Sequence, residues 1–197
     1  MPQRSDENDV RQRLLDAAEV LSHTSRGPET TVAELVAHAR ISARTFYELY
    51  GNKDDFFAEF WHFRLELVSR RMAALIAAED DSLARLRAFG RALESVSDDV
   101  ASSRDVDLFQ LQLAGRRPAL VAHAFEPLVA LLTGCIEAAQ ADGHVPPGDA
   151  RDLAGPMIEL LAASVRDRRT GASPMQPAIP LETVIDFCLR GLGISTP

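Results

Sequence analysis

The sequence contains very little lysine and cysteine. Lys53 is the only lysine, and the other basic residues are all arginines. The two cysteines, Cys135 and Cys188, lie far apart. Neither a CxxC redox pair nor a thiolate zinc site can therefore be built from neighbouring residues. We expect both thiols to be reduced and buried.

Long apolar runs and signature loops are also missing. No stretch approaches the run of about 18 consecutive apolar residues that indicates a membrane helix. The polar start, MPQRSDENDV, lacks the apolar region of a signal peptide. No GxSxG, GxGxxG or P-loop motif occurs. The absence of a signal peptide and of a membrane helix predicts a cytoplasmic protein. We expect no enzymatic activity and no cofactor.

The charge of the chain argues at first against a nucleic-acid partner. The net charge is −8 at neutral pH, and a polyanion repels such a molecule. The segment 40–53 is different, because it carries Arg40, Arg44 and Lys53 against Glu48 alone. Any anion-binding surface is therefore expected to be confined to this segment.

The apolar residues recur with a helical period, and no segment alternates as a strand does. Apolar residues make up 46% of the chain, which is enough for a sizeable core. The pattern predicts an all-α protein. A first helix carries the apolar positions Val10 to Leu21, and a second begins after Thr31. Further helices are expected at about 43–49, 53–79, 82–97, 104–115, 118–142, 149–168 and 181–193.

The segment TVAELVAHARISARTFYELYGNK, residues 31–53, has the pattern of a helix-turn-helix. Thr31 and Glu34 form a capping box, and Ser42 can cap the short third helix. A helix-turn-helix can place its second helix in the major groove of DNA, although such a pattern also occurs as a plain αα-corner. On that helix Arg44 can take guanine O6 and N7 together, and the Thr45 methyl group can touch thymine.

Two further residues of this segment can contact phosphate. Tyr47 can donate its hydroxyl hydrogen to a phosphate oxygen. Lys53 begins the next helix, where a cation is favourable only if an anion is also bound. Phe46 and Tyr50 are expected to pack inward.

These residues resemble the tetracycline-repressor (TetR) family of bacterial transcription regulators, whose pattern runs roughly T-V-x-x-I-A-x-x-A-G-V-S-x-x-T-L-Y-x-H-F-x-x-K. The resemblance is specific over about residues 10–57. Arg40, Leu49 and Tyr50 depart from it, because they replace the turn glycine, the histidine and the phenylalanine. Matching positions imply DNA contacts at Thr31, Ser42, Thr45, Tyr47 and Lys53. Ala43 and Arg44 lie between Ser42 and Thr45 at the start of the same helix, and we expect them to contact DNA as well.

The resemblance also implies an organisation and a mechanism. Residues 1–52 would form the DNA-binding domain, and a long helix would join it to a ligand-binding and dimerisation domain at 53–197. Such a protein would be a homodimer, most simply a repressor released from a palindromic operator by a small molecule.

A pocket for that molecule is expected between the central helices. Aromatic and aliphatic side chains could line it, with a few polar contacts, although aromatic residues at helical spacing are as readily plain core. The candidates are Trp61, Phe63, Phe89, Phe109, Gln110, Leu113 and His123.

The dimer contact is expected at the helices near 149–168 and 181–193. The last helix carries an apolar stripe that includes Leu181, Ile185, Cys188 and Leu192. Two adjacent helices with little chain left to cover them suggest a four-helix contact between protomers.

A rival reading is an all-helical metal-binding or enzymatic bundle with a helix-turn-helix-like corner. Glu59 and His62 form one E-x-x-H motif, with Glu66 one turn further. Di-metal bundles use that motif twice, and the sequence holds one copy, so we favour a polar patch without metal.

Overall fold

The computed structural model describes residues 3–22, 30–96, 113–170 and 179–194, and within these ranges no strand occurs. The described part of the chain contains eight α-helices, which confirms the all-α class. Their bounds are α1 Gln3–Ser22, α2 Val32–Ala39, α3 Ala43–Tyr50, α4 Lys53–Ala77, α5 Ser82–Val96, α6 Pro118–Ala141, α7 Ala150–Thr170 and α8 Leu181–Gly191.

The predicted helices agree closely with the observed ones. The third and fourth begin at the expected residues, Ala43 and Lys53. The first helix starts at Gln3, before the apolar pattern begins, because a polar segment can extend a helix that is already anchored further along. The expected helix at 104–115 lies largely outside the described residues.

The chain forms two compact units. The first contains residues 1–64 and 101–124, and the second contains residues 65–100 and 125–197. Helices α4 and α6 each contribute residues to both units. The predicted functional division between residues 52 and 53 stays a prediction.

Aromatic rings and leucines form the core of the first unit. Leu14 of α1, Leu35 of α2 and Phe46 of α3 are fully buried. The ring of Phe56 on α4 lies 5.6 Å from Phe46 and 5.1 Å from Tyr50, in edge-to-face arrangements. Each such side chain stabilises the fold by about 1.5–3 kcal/mol on burial. The core therefore holds α3 firmly against α1, α2 and the start of α4.

The core of the second unit is mainly aliphatic, and five helices contribute to it in the described part of the chain. Its large, fully buried side chains include Met72, Leu86, Phe89, Leu132, Ile136, Leu161 and Ile185. Gly90 of α5 permits the closest approach, because a Cβ atom there would lie 2.7 Å from Cγ1 of Ile185 and 3.2 Å from Cδ2 of Leu161. Packing of α5 against α7 and α8 thus depends on the missing side chain.

The apolar stripe of α8 does not form an exposed seam. Leu181, Ile185, Cys188 and Leu192 are all buried within the second unit. This stripe therefore gives no support for a dimer contact, because its side chains are already buried in the core of the second unit. The dimer contact through α7 and α8 stays a prediction. The outer surfaces of α7 and α8 instead expose Leu160 and Phe187, at 43% and 60% of their surface.

Helix α6 is long and apolar enough to meet the length and hydropathy criteria for a membrane span. Core helices of globular proteins meet the same criteria. Leu128, Leu132 and Ile136 of this helix pack into the core of the second unit, and His123 and Glu126 interrupt its apolar surface.

Candidate nucleic-acid interface

Helix α2 begins with the capping box expected from its sequence. The backbone N–H of Glu34 donates to Oγ1 of Thr31 at 3.2 Å, and the backbone N–H of Thr31 donates to Oε2 of Glu34 at 2.8 Å. Two amide donors that the helix leaves unpaired are thus satisfied. Thr31 is exposed at this helix end, where an anion is favoured.

The turn between α2 and α3 keeps its glycine-like geometry although Arg40 occupies it. Arg40 adopts the left-handed conformation, with φ 53° and ψ 48°. The Arg40 N–H donates to the carbonyl of Ala37, and the Ile41 N–H donates to the carbonyl of Val36 at 3.0 Å. This pair of bonds is a Schellman motif, which usually has glycine at that position. The turn therefore forms as the resemblance implied, at the cost of a strained arginine backbone.

Helix α3 has two clearly different faces. Phe46 and Tyr50 are buried, as the sequence predicted. The opposite face exposes Ala43, Arg44, Tyr47 and Glu48. A short helix anchored by two aromatic rings thus presents its polar side to solvent.

The start of α3 is organised by two hydroxyl groups. The Thr45 N–H donates to Oγ of Ser42 at 3.0 Å, so Ser42 is the N-cap that the sequence predicted. The same Ser42 oxygen lies 2.8 Å from Oγ1 of Thr45. This contact orients the Thr45 side chain, whose residue is only partly exposed.

Arg44 and Glu48 form an ion pair on the exposed face. Nε of Arg44 donates to Oε1 of Glu48 at 2.8 Å, one helical turn away. The two side chains keep 86% and 61% of their surface accessible. The hydrogen bond to Glu48 raises the pKa of Arg44, which therefore stays charged.

Tyr47 and Lys53 extend the polar surface beyond Arg44. Tyr47 is 52% exposed, and its ring rests edge-on against Phe46. Lys53 is the first residue of α4, and its ammonium group lies 5.3 Å from the ring centre of Phe57. Burial lowers the pKa of Lys53, while the carboxylates of Asp54 and Glu34 oppose that shift.

Glu59 of α4 links α1 to α3 through hydrogen bonds on the buried side of the helix-turn-helix, a role that was not predicted from the sequence. It accepts a hydrogen bond from Nη1 of Arg11 on α1 at 3.1 Å and one from the Tyr50 hydroxyl at 3.2 Å. Burial raises the pKa of Tyr50, and the charge of Glu59 adds to that shift. Tyr50, which replaces the phenylalanine of the family pattern, thus gains a hydrogen-bond partner. The sequence signal for this contact is a carboxylate, Glu59, nine residues after the tyrosine.

Arg117 is a second residue that sequence reasoning did not single out. It lies just before α6, and its Nη2 atom is 2.6 Å from Oδ1 of Asp55. Its Nη1 atom donates to Oδ1 of Asn52 at 3.2 Å. Asn52 also caps α4, because the Asp55 N–H donates to the same oxygen at 3.0 Å. Arg117 therefore braces the helix start that carries Lys53.

The E-x-x-H motif is used for packing within the first unit. Glu59 is engaged with Arg11 and Tyr50, as described above. His62 stacks on His123, with ring centres 4.4 Å apart, and its Nδ1 atom lies 2.8 Å from the His123 carbonyl oxygen. Among the described residues no group of three or more metal-ligating side chains is found.

The predicted ligand residues are distributed over both units. Trp61 and Leu113 are buried in the first unit, where Phe63 and His123 are more exposed. Phe89 is fully buried in the core of the second unit. Phe109 and Gln110 lie outside the described residues. Their role as a pocket stays a prediction.

A groove of about 380 Å³ lies in the second unit, beside the α6–α7 connection and the end of α8. None of the predicted ligand residues in the described part of the chain lines it. Its walls include Val145, Pro146, Asp152, Leu153 and Leu192.

Comparisons with known proteins agree with this geometry. Residues 14–60 match the family model described as bacterial regulatory proteins, tetR family. No curated protein matches the sequence. The matched range contains α2, α3 and the start of α4, which carry the surface described above.

Solved structures share the fold over nearly the whole chain. RolR in complex with resorcinol has a TM-score of 0.74 and 16% identity, over 98% of this chain and 91% of that chain. FadR of Thermus thermophilus, a TetR-family repressor in complex with lauroyl-CoA, has a TM-score of 0.70 and 20% identity, over 95% and 96%. Reduced NemR of E. coli has a TM-score of 0.66 and 17% identity, over 95% and 99%. Because the sequence identities are 20% or lower, these structural similarities establish the fold alone.

Proposed function

We propose that this chain, which belongs to the tetR family of bacterial regulatory proteins, represses transcription by binding double-stranded DNA as a homodimer. The observation that carries the proposal is the two-faced α3. Phe46 and Tyr50 fix the helix from within, while Arg44 and Tyr47 face solvent. A helix presented in this way on a helix-turn-helix can enter the major groove.

The side chains of this surface divide between reading bases and holding phosphates. Arg44 would contact guanine and Thr45 would contact thymine, with Ser42 and Ala43 beside them at the helix start. Thr31, Tyr47 and Lys53 would bind the phosphate backbone, which sets register without reading sequence. A phosphate near Lys53 would also benefit from the N-terminal end of α4.

A small molecule is proposed to control this binding. RolR and FadR were solved with resorcinol and with lauroyl-CoA, respectively. By analogy an effector, still unidentified, would favour a state in which the two α3 helices of a dimer no longer fit successive major grooves, about 34 Å apart. Helix α4 is suited to transmit this change, because its 25 residues begin at Lys53 and contribute to both units.

The homodimer is proposed to form through the outer surfaces of α7 and α8. Leu160, Ile179 and Phe187 are exposed on or next to these helices. In a two-fold symmetric dimer, the apolar patch of one protomer would cover the same patch of its partner. Such a dimer would also match the symmetry of a palindromic operator. We place the protein in the cytoplasm, where such a regulator meets DNA.

The first test is selection from random duplexes with the purified protein. We expect an enriched palindrome with two half-sites. Failure to enrich any sequence at moderate salt would contradict the proposal.

Lys53→Ala provides the second test. We expect weaker binding to every duplex and a salt slope reduced by about one unit, because one phosphate contact is lost. The matched control is Arg91→Gln, which removes an exposed cation of α5 that pairs with Glu182. That variant should bind as the wild type does.

A further inference from the structure

An acidic side chain occupies the surface that is proposed to approach DNA. Glu48 lies on the exposed face of α3 together with Arg44 and Tyr47. A carboxylate there repels phosphates, in a chain whose net charge is already −8. Both side chains of the Arg44–Glu48 ion pair are exposed to solvent. Exposed ion pairs add little to folding stability. Neither electrostatic attraction to DNA nor stability explains Glu48.

The geometry of the pair suggests a different role. Glu48 accepts its hydrogen bond from Nε of Arg44, at 2.8 Å. Among the described residues no other side chain binds the Arg44 guanidinium, so its two terminal nitrogen atoms remain open to solvent. These terminal groups are the ones that can donate together to guanine O6 and N7.

We propose that Glu48 is a positioning residue, which fixes Arg44 so that α3 reads guanine at one position of the operator. A free arginine samples many rotamers and loses that freedom when it binds a base. The hydrogen bond from Nε of Arg44 to Oε1 of Glu48 restricts the arginine rotamers before DNA is bound, so less conformational entropy is lost on binding. It leaves the guanine-binding edge of the guanidinium exposed. This inference rests on the proposed function, since it assigns a reading mode to the same surface.

The negative charge of Glu48 contributes to specificity in a second way. It weakens attraction to any phosphate backbone, whatever the sequence. A duplex that lacks the guanine leaves the carboxylate near DNA without the compensating arginine contact. Discrimination thus comes from a repulsive element as well as an attractive one.

The test measures affinity for the selected duplex and for its three single-base replacements at the guanine, with four variants. Arg44→Ala should lower the preference for guanine by roughly tenfold or more, as expected for loss of a bidentate contact. Arg44→Lys should also lower it, because lysine lacks both the planar guanidinium fork and the Nε–H group that donates to Glu48.

The Glu48 variants separate positioning from simple charge. Glu48→Ala should raise affinity for the replaced duplexes yet reduce the guanine preference by about two- to threefold, which is a fraction of the full contact. Glu48→Gln should retain part of the preference, since its carbonyl oxygen can still accept from Nε. Thermal unfolding checks that each variant is folded, and alanine and glutamine both suit an exposed helix position.

The control is Glu137→Ala, which removes the same charge from an exposed position on α6. It should leave the guanine preference unchanged. If Glu48→Ala strengthens all duplexes equally, the carboxylate is only a repulsive charge and the inference is wrong. Glu48→Ala could instead remove a preference for cytosine at a neighbouring position while the preference for guanine is unchanged. That result would show that Glu48 contacts a base itself, and it would also overturn the positioning role.

These outcomes are distinct from failure of the proposed function. A wild-type protein that selects no duplex refutes DNA binding altogether. A wild type that selects a duplex containing no half-site guanine refutes only the assignment of Arg44 and Glu48.

Discussion

Arg40 shows how one residue can be unfavourable for folding and useful on a surface. Its left-handed backbone costs about 1–2 kcal/mol relative to an ordinary helical residue. Among the described residues its side chain has no hydrogen-bond or ion-pair partner, whereas Arg44 and Arg11 are paired. An unpaired cation beside the start of α3 is available to a phosphate.

We therefore predict that Arg40→Gly changes stability and DNA binding in opposite directions. Glycine adopts the left-handed conformation without strain, so the free energy of unfolding should rise by up to about 1 kcal/mol. Affinity for all duplexes should fall, with a shallower salt dependence. Urea unfolding and binding titrations measure the two effects. Arg40→Asn is the control for the backbone, since asparagine tolerates this conformation and also lacks the charge. Unchanged affinity in both variants would show that Arg40 makes no phosphate contact.

At the scale of helices, the packing of α5 depends on Gly90. We predict that Gly90→Ala lowers the free energy of unfolding by about 1–3 kcal/mol, because Ile185 is fully buried and cannot move away. Gly134→Ala is the matched control on α6, where the added methyl group would meet nothing within 4 Å. That change should stabilise by up to about 1 kcal/mol through helix propensity. Thermal unfolding of both variants gives the comparison, and a stabilised Gly90→Ala would contradict the packing described here.

The outer face of α8 provides a second test at this scale. Phe187→Glu should convert the proposed dimer into folded monomers, since an exposed ring is replaced by a charge. Ile185→Glu should instead unfold the chain, because that side chain is fully buried. Sedimentation and circular dichroism distinguish the two results. Leu75→Glu places the same charge at an exposed position of α4, and that variant should remain dimeric. A dimer that persists in Phe187→Glu would place the interface elsewhere.

At the scale of the whole molecule, the negative charge should limit non-specific attraction to DNA. Each chain carries −8, while the local cations belong to the helix-turn-helix segment. At about 0.15 M salt the Debye length is about 8 Å, so distant charges are screened and direct contacts are not. Binding should therefore be weak on random DNA and strongly dependent on sequence.

This balance predicts an unusual salt dependence of the association rate. Affinity should fall as salt rises, because phosphate contacts release counterions. Below about 0.05 M salt the rate should rise less than for a basic repressor, since repulsion from the acidic body then reaches further. Stopped-flow mixing with the selected duplex measures the rate. A steep climb toward the diffusion limit would reveal a larger basic surface than Arg40, Arg44 and Lys53 provide.

The sequence by itself determined the helices and the form of the helix-turn-helix. Thr31, Glu34 and Ser42 act on amides three residues away, so their pattern can be read directly from the chain. The same holds for the inward position of Phe46 and Tyr50, which follows from helical periodicity. The left-handed turn at Arg40 was implied only by the resemblance, in which a glycine stands at that position.

Only the tertiary structure decided which surface each apolar stripe covers and which distant charges meet. The stripe of α8 faces α5 because Gly90 lets Ile185 approach, and periodicity alone does not distinguish such a core face from a dimer seam. Glu59 joins Arg11 and Tyr50 because α1 and α3 both pack against α4 in that unit. Arg117 reaches Asp55 across 62 positions of sequence. Such contacts depend on how helices pack in space, and that packing reflects the combined burial of many side chains rather than any local pattern.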